Sequence, residues 1–240
     1  QTAVTTVSVS DVDEDELTLT LGGTDADSFN LSDENVLTFK EVPDYETKDS
    51  YSITLTLTDG TETVTKDVTI AITNVNDIAP EFTSDASFSI EENEVSVGTI
   101  TATDAEGDNV SFSISSSELA ITSEGVLTFI SAPDYETKSS YSATVTASDG
   151  INTATQDITV NVNNLNDNNP VITSDNSFTA DENQTAIGTI TATDADGDDV
   201  TFTISGTELE ITSDGVLTFV SAPDYETKSS YSATVTASDG

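Results

Sequence analysis

The sequence predicts an all-β protein built from tandem antiparallel, immunoglobulin-like β-sandwich repeats with a period of about 90 residues. The repeat itself is the first observation that leads there. The string Pro-Asp-Tyr-Glu-Thr-Lys begins at Pro43, Pro133 and Pro223, each 90 residues after the last. Ser131–Gly150 and Ser221–Gly240 are identical, Ser87–Asn93 matches Ser177–Asn183, and Gly98–Ile114 matches Gly188–Ile204. The first copy is more divergent, with a three-residue shift near Gly22–Thr24. The second observation is alternation at period two, and the third is the want of any convincing 3.6-residue period.

Within the second copy, strands are expected over Val97–Thr103, Val110–Ile114, Val126–Ile130, Tyr141–Ala147 and Ile158–Val162. Tyr141, Ala143, Val145 and Ala147 point one way, and Ser142, Thr144, Thr146 and Ser148 point the other. Thr, Val and Ile dominate, as a half-buried pleated surface prefers. Gly125 and Gly215 mark tight turns. Boundaries are expected at Asn74–Pro80 and Asn164–Pro170, where proline cannot donate to a ladder. Three repeats follow, at residues 1–77, 78–167 and 168–240. By alignment to the complete second repeat, the first lacks its opening strand and the third its closing one, so a fragment of a longer array is expected. The six tyrosines and five prolines recur at equivalent positions and are assigned to the scaffold.

Composition narrows the function. The chain carries 45 Asp and Glu against 5 basic residues, all Lys, for a formal charge of −40. Such a field repels nucleic acid and anionic membrane surfaces and attracts cations. With no His and no Cys, a His- or Cys-based nucleophile–base pair, a disulfide and a soft-metal site are all excluded. The carboxylate pairs that could serve a glycosidase are better explained as cation cages, because they repeat. Catalytic and organic-cofactor residues are therefore not assigned. No apolar run approaches the roughly 20 residues of a membrane helix, so no direct membrane insertion is expected.

The carboxylates are clustered in five recurring motifs. These are Glu-Asn (Glu92, Glu182); acid-X-Glu (Asp44 and Glu46, Asp134 and Glu136, Asp224 and Glu226); and the linker acid (Asp77, Asp167). The others are strand-end pairs (Asp11 and Asp13, Asp104 and Glu106, Asp194 and Asp196) and an Asp-Gly turn (Asp59, Asp149, Asp239). Asp194–Asp198 also looks like the start of an EF-hand loop, but Asp199 and Ser205 stand where the glycine and closing glutamate belong. Asp108 and Asp198 are assigned to the solvated rim.

Glu-Asn before a Gly-Thr-Ile-Thr-Ala-Thr-Asp strand, then acid-X-Glu, Ala-X-Asp-Gly and Asn-X-Asn-Asp at each boundary, resembles extracellular cadherin repeats, in the same motif order over nearly the whole chain. The composition is similar to bacterial cadherin-like surface repeats. The resemblance implies Ca²⁺ at each junction, three ions held by motifs from both neighbouring repeats. Carried over by position, the first junction would use Asp44, Glu46, Asn76, Asp77, Asp104, Glu106 and Asp149. The second would use Glu92, Asp134, Glu136, Asn166, Asp167, Asp194, Asp196 and Asp239. Backbone carbonyls near Val75, Ile78, Leu165 and Asn168 would complete the shells. Asn74 and Asn164 stand where the family usually has Asp, Glu106 replaces Asp, and Ile78 replaces Asn. Without tryptophan, the paired tryptophan-swap adhesion of vertebrate cadherins does not carry over.

Electrostatics supports a cation independently. Two carboxylates about 4 Å apart repel by roughly 1 kcal/mol in water and about 4 kcal/mol at a surface-like dielectric. All-oxygen donor sets suit Ca²⁺, whereas Mg²⁺ demands a rigid octahedron and keeps its waters. The expected function is thus a Ca²⁺-rigidified extender in an extracellular adhesin or filament, with Ca²⁺ and neighbouring repeats as partners. The alternative is a module binding a homotypic chain or a polysaccharide, and an enzyme is not expected.

Overall fold

The computed structural model describes residues 2–240, which fold as two compact units. Unit one holds residues up to 84 together with 101–113 and 146–155; unit two holds 85–100, 114–145 and 156–240. Among the described residues the regular structure is β, apart from a single 3₁₀ turn at Ala26–Ser28.

In unit one, Thr18–Gly22, Ser50–Thr58 and Thr63–Ala71 form an antiparallel sheet with Ser50–Thr58 in the middle. A second sheet runs Ala3–Thr6, Val36–Phe39, Phe29–Leu31. The alternation Ile53, Leu55 on the central strand turns both residues inward, where they are buried with Phe29, Leu37 and Phe39. Phe29 and Phe39 pack with ring centroids 4.4 Å apart, and Tyr51 meets Phe39 edge-on at 5.0 Å. Glu81–Phe82 pairs with Ala102–Thr103.

Unit two repeats this plan. Leu119–Ile121, Val126–Phe129 and Ser96–Thr99 form one sheet, and Ala186–Thr189, Val216–Phe219 and Leu209–Ile211 form its counterpart. The longer strands Ser111–Ser115, Ser140–Ser148 and Thr153–Asn163 share a four-stranded sheet with Ser87–Glu91 and contribute residues to both units. Tyr141, Val145 and Ala147 are buried as the alternation requires, while Ala143 is half-buried.

Two features differ from the expected strands. The segment expected over Val97–Thr103 breaks at Ile100 and Thr101, where the chain passes from pairing with Val126–Phe129 to pairing with Glu81–Phe82. The sandwich is also not wholly antiparallel. Ser87–Glu91 pairs in parallel with Thr159–Asn163, from Ser87 opposite Thr159 to Glu91 opposite Asn163. That register brings the Glu92 N–H to the Asn163 carbonyl at 3.1 Å and so fixes where the Glu-Asn motif begins.

The tyrosines do not share one role. Tyr51, Tyr141 and Tyr231 lie under the motif lysines, with Lys48, Lys138 and Lys228 over their rings at 4.8, 4.2 and 4.5 Å. Those lysines also pair with Asp25, Glu118 and Glu208. Tyr45, Tyr135 and Tyr225 are exposed instead, since their places lie in the loop that carries the acid-X-Glu motif. In the third repeat a cavity of about 840 Å³ opens onto Phe178, Ile190, Ile204, Leu217 and Phe219.

Candidate metal centres

Each unit contains acidic side chains gathered from separate chain segments. In unit one, carboxylate oxygens of Glu46, Asp77 and Glu106 lie within 4.8 Å of one another, and Asp104 and Asp108 share such a group with Glu106. In unit two the group is Glu92, Glu136, Asp167 and Asp196, adjoined by Asp194 and Asp198 through Asp196.

Local backbone chemistry positions these side chains. Asp44, Asp134 and Asp224 each accept the hydroxyl of the threonine three residues on, at 2.7, 3.0 and 2.9 Å, which ties down the loop presenting Glu46, Glu136 and Glu226. Asp104 Oδ1 accepts the N–H groups of Glu106 and Asp108, and Asp194 Oδ1 those of Asp196 and Asp198. In both residues Oδ2 is left buried without a hydrogen-bond partner, as are both Glu106 oxygens. Gly107 and Gly197, at φ near +82° and +83°, permit these turns.

Glu92 is the most enclosed member, at 1% exposure. Oε2 accepts the Tyr135 N–H at 2.9 Å and Oε1 the Leu165 N–H at 2.7 Å, so one carboxylate bridges the acid-X-Glu loop and the linker. Asn93, at φ +65°, follows in the left-handed region, and its amide donates to Asp167 Oδ2 at 2.5 Å. At the linker, Asn164 donates to the Asp196 carbonyl at 2.8 Å, and Asp167 and Asn168 give their N–H groups to Asp196 Oδ2.

The charge states follow from these surroundings. Burial first, then the charges of Asp104 and Glu46, push the Glu106 carboxyl above its ordinary range. Burial likewise raises Glu136, helped by Glu92, Asp196 and Asp134. Asp196 is held low, chiefly by the Asn168 side-chain amide. Burial pushes Asp149 up, but the N–H groups of Ile151 and Asn152 outweigh it and leave the carboxyl low.

A pH dependence follows for the ion-free protein. Glu106 and Glu136 bind protons more tightly folded than unfolded, so stability falls as pH climbs through a window just above the ordinary Glu range. Asp44, Asp149, Asp196 and Asp224 have the opposite sign, and their contribution is lost as pH falls below the ordinary Asp range. Thermal melts in chelator should therefore peak at mildly acidic pH. A midpoint that only fell on acidification from neutrality would contradict this.

Of the positions assigned from sequence, Glu46, Asp77, Asp104 and Glu106 gather in unit one, and Glu92, Glu136, Asp167, Asp194 and Asp196 gather in unit two. Asp149 and Asn76 meet through Asn152, whose Nδ2 lies 2.6 Å from Asn76 Oδ1 and 3.3 Å from Asp149 Oδ2. Asp44 and Asp134 face their own loops, and Asp239 joins no such group among the described residues. Asp108 and Asp198 stand beside the strand-end acids and are exposed, as solvated rim charges are. Glu182, Asp224 and Glu226 form a further group in the third repeat. The Asn152 and Asn168 side chains were invisible in the motif pattern because neither recurs: Glu62 and Ile78 occupy the matching places.

Comparison with known proteins places this arrangement. Human Protocadherin Fat 4 is 35% identical over 197 residues, covering 71% of this chain and 4% of that protein. Mouse Cadherin EGF LAG seven-pass G-type receptor 2 is 33% identical over 223 residues, 82% of this chain and 8% of its own length. The repeats are cadherin-like. They are tandem β-sandwich modules of extracellular type. The crystal structure of mouse Cadherin-23 EC22-24 has the same fold at a TM-score of 0.77 and 22% identity, covering 98% of this chain and 86% of that one. The protocadherin gammaB7 EC3-6 cis-dimer structure follows at 0.74 and 22%, covering 94% and 65%. A bacterial Ig domain model matches residues 166–240. The chain thus spans under a tenth of the curated cadherin relatives it matches.

Proposed function

We propose that these cadherin-like repeats are extenders of an extracellular adhesin or filament, stiffened by Ca²⁺ held between neighbouring repeats. The observation that carries this reading is the acidic group on each linker. It combines Glu46 or Glu136 from the preceding repeat, Asp77 or Asp167 from the linker and Glu106 or Asp196 from the following repeat. The donor set fits Ca²⁺: carboxylates with amide and carbonyl oxygens, and no nitrogen or sulfur ligand. The partnerless oxygens of Glu106, Asp104 and Asp194 fit it too, since a buried carboxylate oxygen with no donor is costly unless a cation meets it. The lysines of the three ion pairs are engaged with Asp25, Glu118 and Glu208, away from these groups.

At the first linker Glu46, Asp77, Asp104 and Glu106 would hold the ion, and at the second Glu92, Glu136, Asp167, Asp194 and Asp196. Ca²⁺ supplies positive charge, which offsets the mutual repulsion of these carboxylates. The chain's own part is to bring acids from two repeats onto one point, so that binding favours a fixed inter-repeat geometry. Millimolar extracellular Ca²⁺ suffices for sites with dissociation constants of roughly 10⁻⁴–10⁻³ M. The near-identity of the second and third repeats suits a spacer, which needs copies rather than distinct sites.

Electron microscopy of the 240-residue chain tests the proposal. Straight particles of uniform length are expected in millimolar Ca²⁺, and variably bent ones in chelator. Equal bending in both conditions would sink it.

A further inference from the structure

Two asparagine amides lie where oxygen atoms converge, and neither belongs to the recurring motifs. Asn168 Nδ2 is 2.8 Å from Asp196 Oδ1, 2.9 Å from Asp167 Oδ1 and 3.3 Å from Glu136 Oε2. Asn152 Nδ2 is 2.6 Å from Asn76 Oδ1, 3.3 Å from Asp149 Oδ2, and 3.4 Å from the carbonyls of Asn76 and of Ile78. A carboxamide nitrogen carries only two hydrogens. It is surrounded here by three oxygens in one case and four in the other. A neutral donor with more acceptors than hydrogens is standing in a shell that suits a cation better.

We propose that the side-chain amides of Asn168 and Asn152 are placeholders that hold these oxygens together in the ion-free protein and are expelled when Ca²⁺ binds. This rests on the Ca²⁺ reading above and adds to it a device set by residues of this chain alone. Ca²⁺–oxygen contacts are about 2.3–2.6 Å, so an ion drawing on these oxygens needs the space that the amide nitrogen fills. The amide must rotate out before or as the ion enters. Apparent affinity is then lowered by the fraction of molecules with the amide swung away.

The first linker provides an internal comparison. Ile78 occupies the place of Asn168, and there both Glu106 oxygens are without a partner, whereas Asp196 is held by the Asn168 amide and two backbone N–H groups. The acidic group of unit one therefore has no placeholder of the Asn168 kind, and the two linkers should differ in how readily their acidic groups take the ion.

The test is calorimetric titration of CaCl₂ into the chelator-treated chain, wild type and Asn168→Ala, each with a melt in chelator. The amide resonances of wild type are followed by NMR. If the placeholder is real, N168A binds one class of sites about three- to tenfold more tightly. It also melts lower without Ca²⁺, and the wild-type Asn168 carboxamide signals shift on saturation. Asn152→Ala should behave likewise at the other shell. Weaker or equal binding in N168A would overturn the inference, since it would make the side chain a ligand or a bystander. Unmoved carboxamide signals on saturation would overturn it even if the variant failed to fold. Wild type that bound no Ca²⁺ at all would overturn the functional reading first, and this inference with it.

Discussion

Removing Ca²⁺ is expected to lower the thermal midpoint of this chain by ten degrees or more, on the order of the shift that mass action provides. An ion bound only by the folded state adds about 2.7 kcal/mol when its concentration is a hundred times the dissociation constant. For a domain of 60–100 residues each kcal/mol moves the midpoint by about 4–8 °C. Each unit contains at least one such acidic group, so both should respond. Hydrophobic residues make up only 35% of the chain, so the ion-free state has little apolar burial in reserve against carboxylate repulsion. Calorimetric scans in chelator and in CaCl₂ at about a hundred times the dissociation constant check this. Added NaCl should recover only part of the loss, because screening weakens repulsion without filling the shells. If salt alone restored the full midpoint, the acidity would serve solubility rather than an ion.

The parts of the fold that repeat, or that alternate along one strand, were legible in the sequence. Tyr141, Val145 and Ala147 turned inward because a side-chain period of two leaves the register of a half-buried strand no choice. The acid-X-Glu and linker acids could be paired because they recur at fixed distance. What stayed hidden depends on pairing between distant segments. The parallel match of Ser87–Glu91 with Thr159–Asn163 joins residues 72 apart, and nothing in either segment encodes strand direction. The side chains of Asn152 and Asn168 were missed for the opposite reason, although the Asn168 carbonyl was assigned to a shell. They do not recur, and a single asparagine in a loop is indistinguishable from any solvated turn residue. Asp108 and Asp198 are exposed, as solvated rim charges are, although the glycine turn sets each beside the strand-end acids.

The second large effect is expected at Glu92. Its two oxygens accept two backbone N–H groups from different segments, Tyr135 and Leu165, inside a pocket that leaves the residue 1% exposed. Substituting Glu92→Gln keeps the shape and one acceptor. The second oxygen becomes an NH₂ group facing an N–H donor, so one backbone N–H loses its partner and two donors oppose each other. An unsatisfied buried group costs about 1–3 kcal/mol, and bonds to charged groups lie toward the upper end. The midpoint in chelator should drop by several degrees. Ca²⁺ should recover little of it, because the lost bonds set the geometry that the ion would need. The matching residue of the third repeat is the control: Glu182 is exposed and accepts only the Tyr225 N–H, at 3.1 Å, so Glu182→Gln should move the midpoint by no more than about 1 kcal/mol's worth. Melts of both variants with and without CaCl₂ decide the matter. Equal, small shifts for the two would mean that Glu92 serves only as a charge, and that the linker is positioned by the parallel strand pair alone.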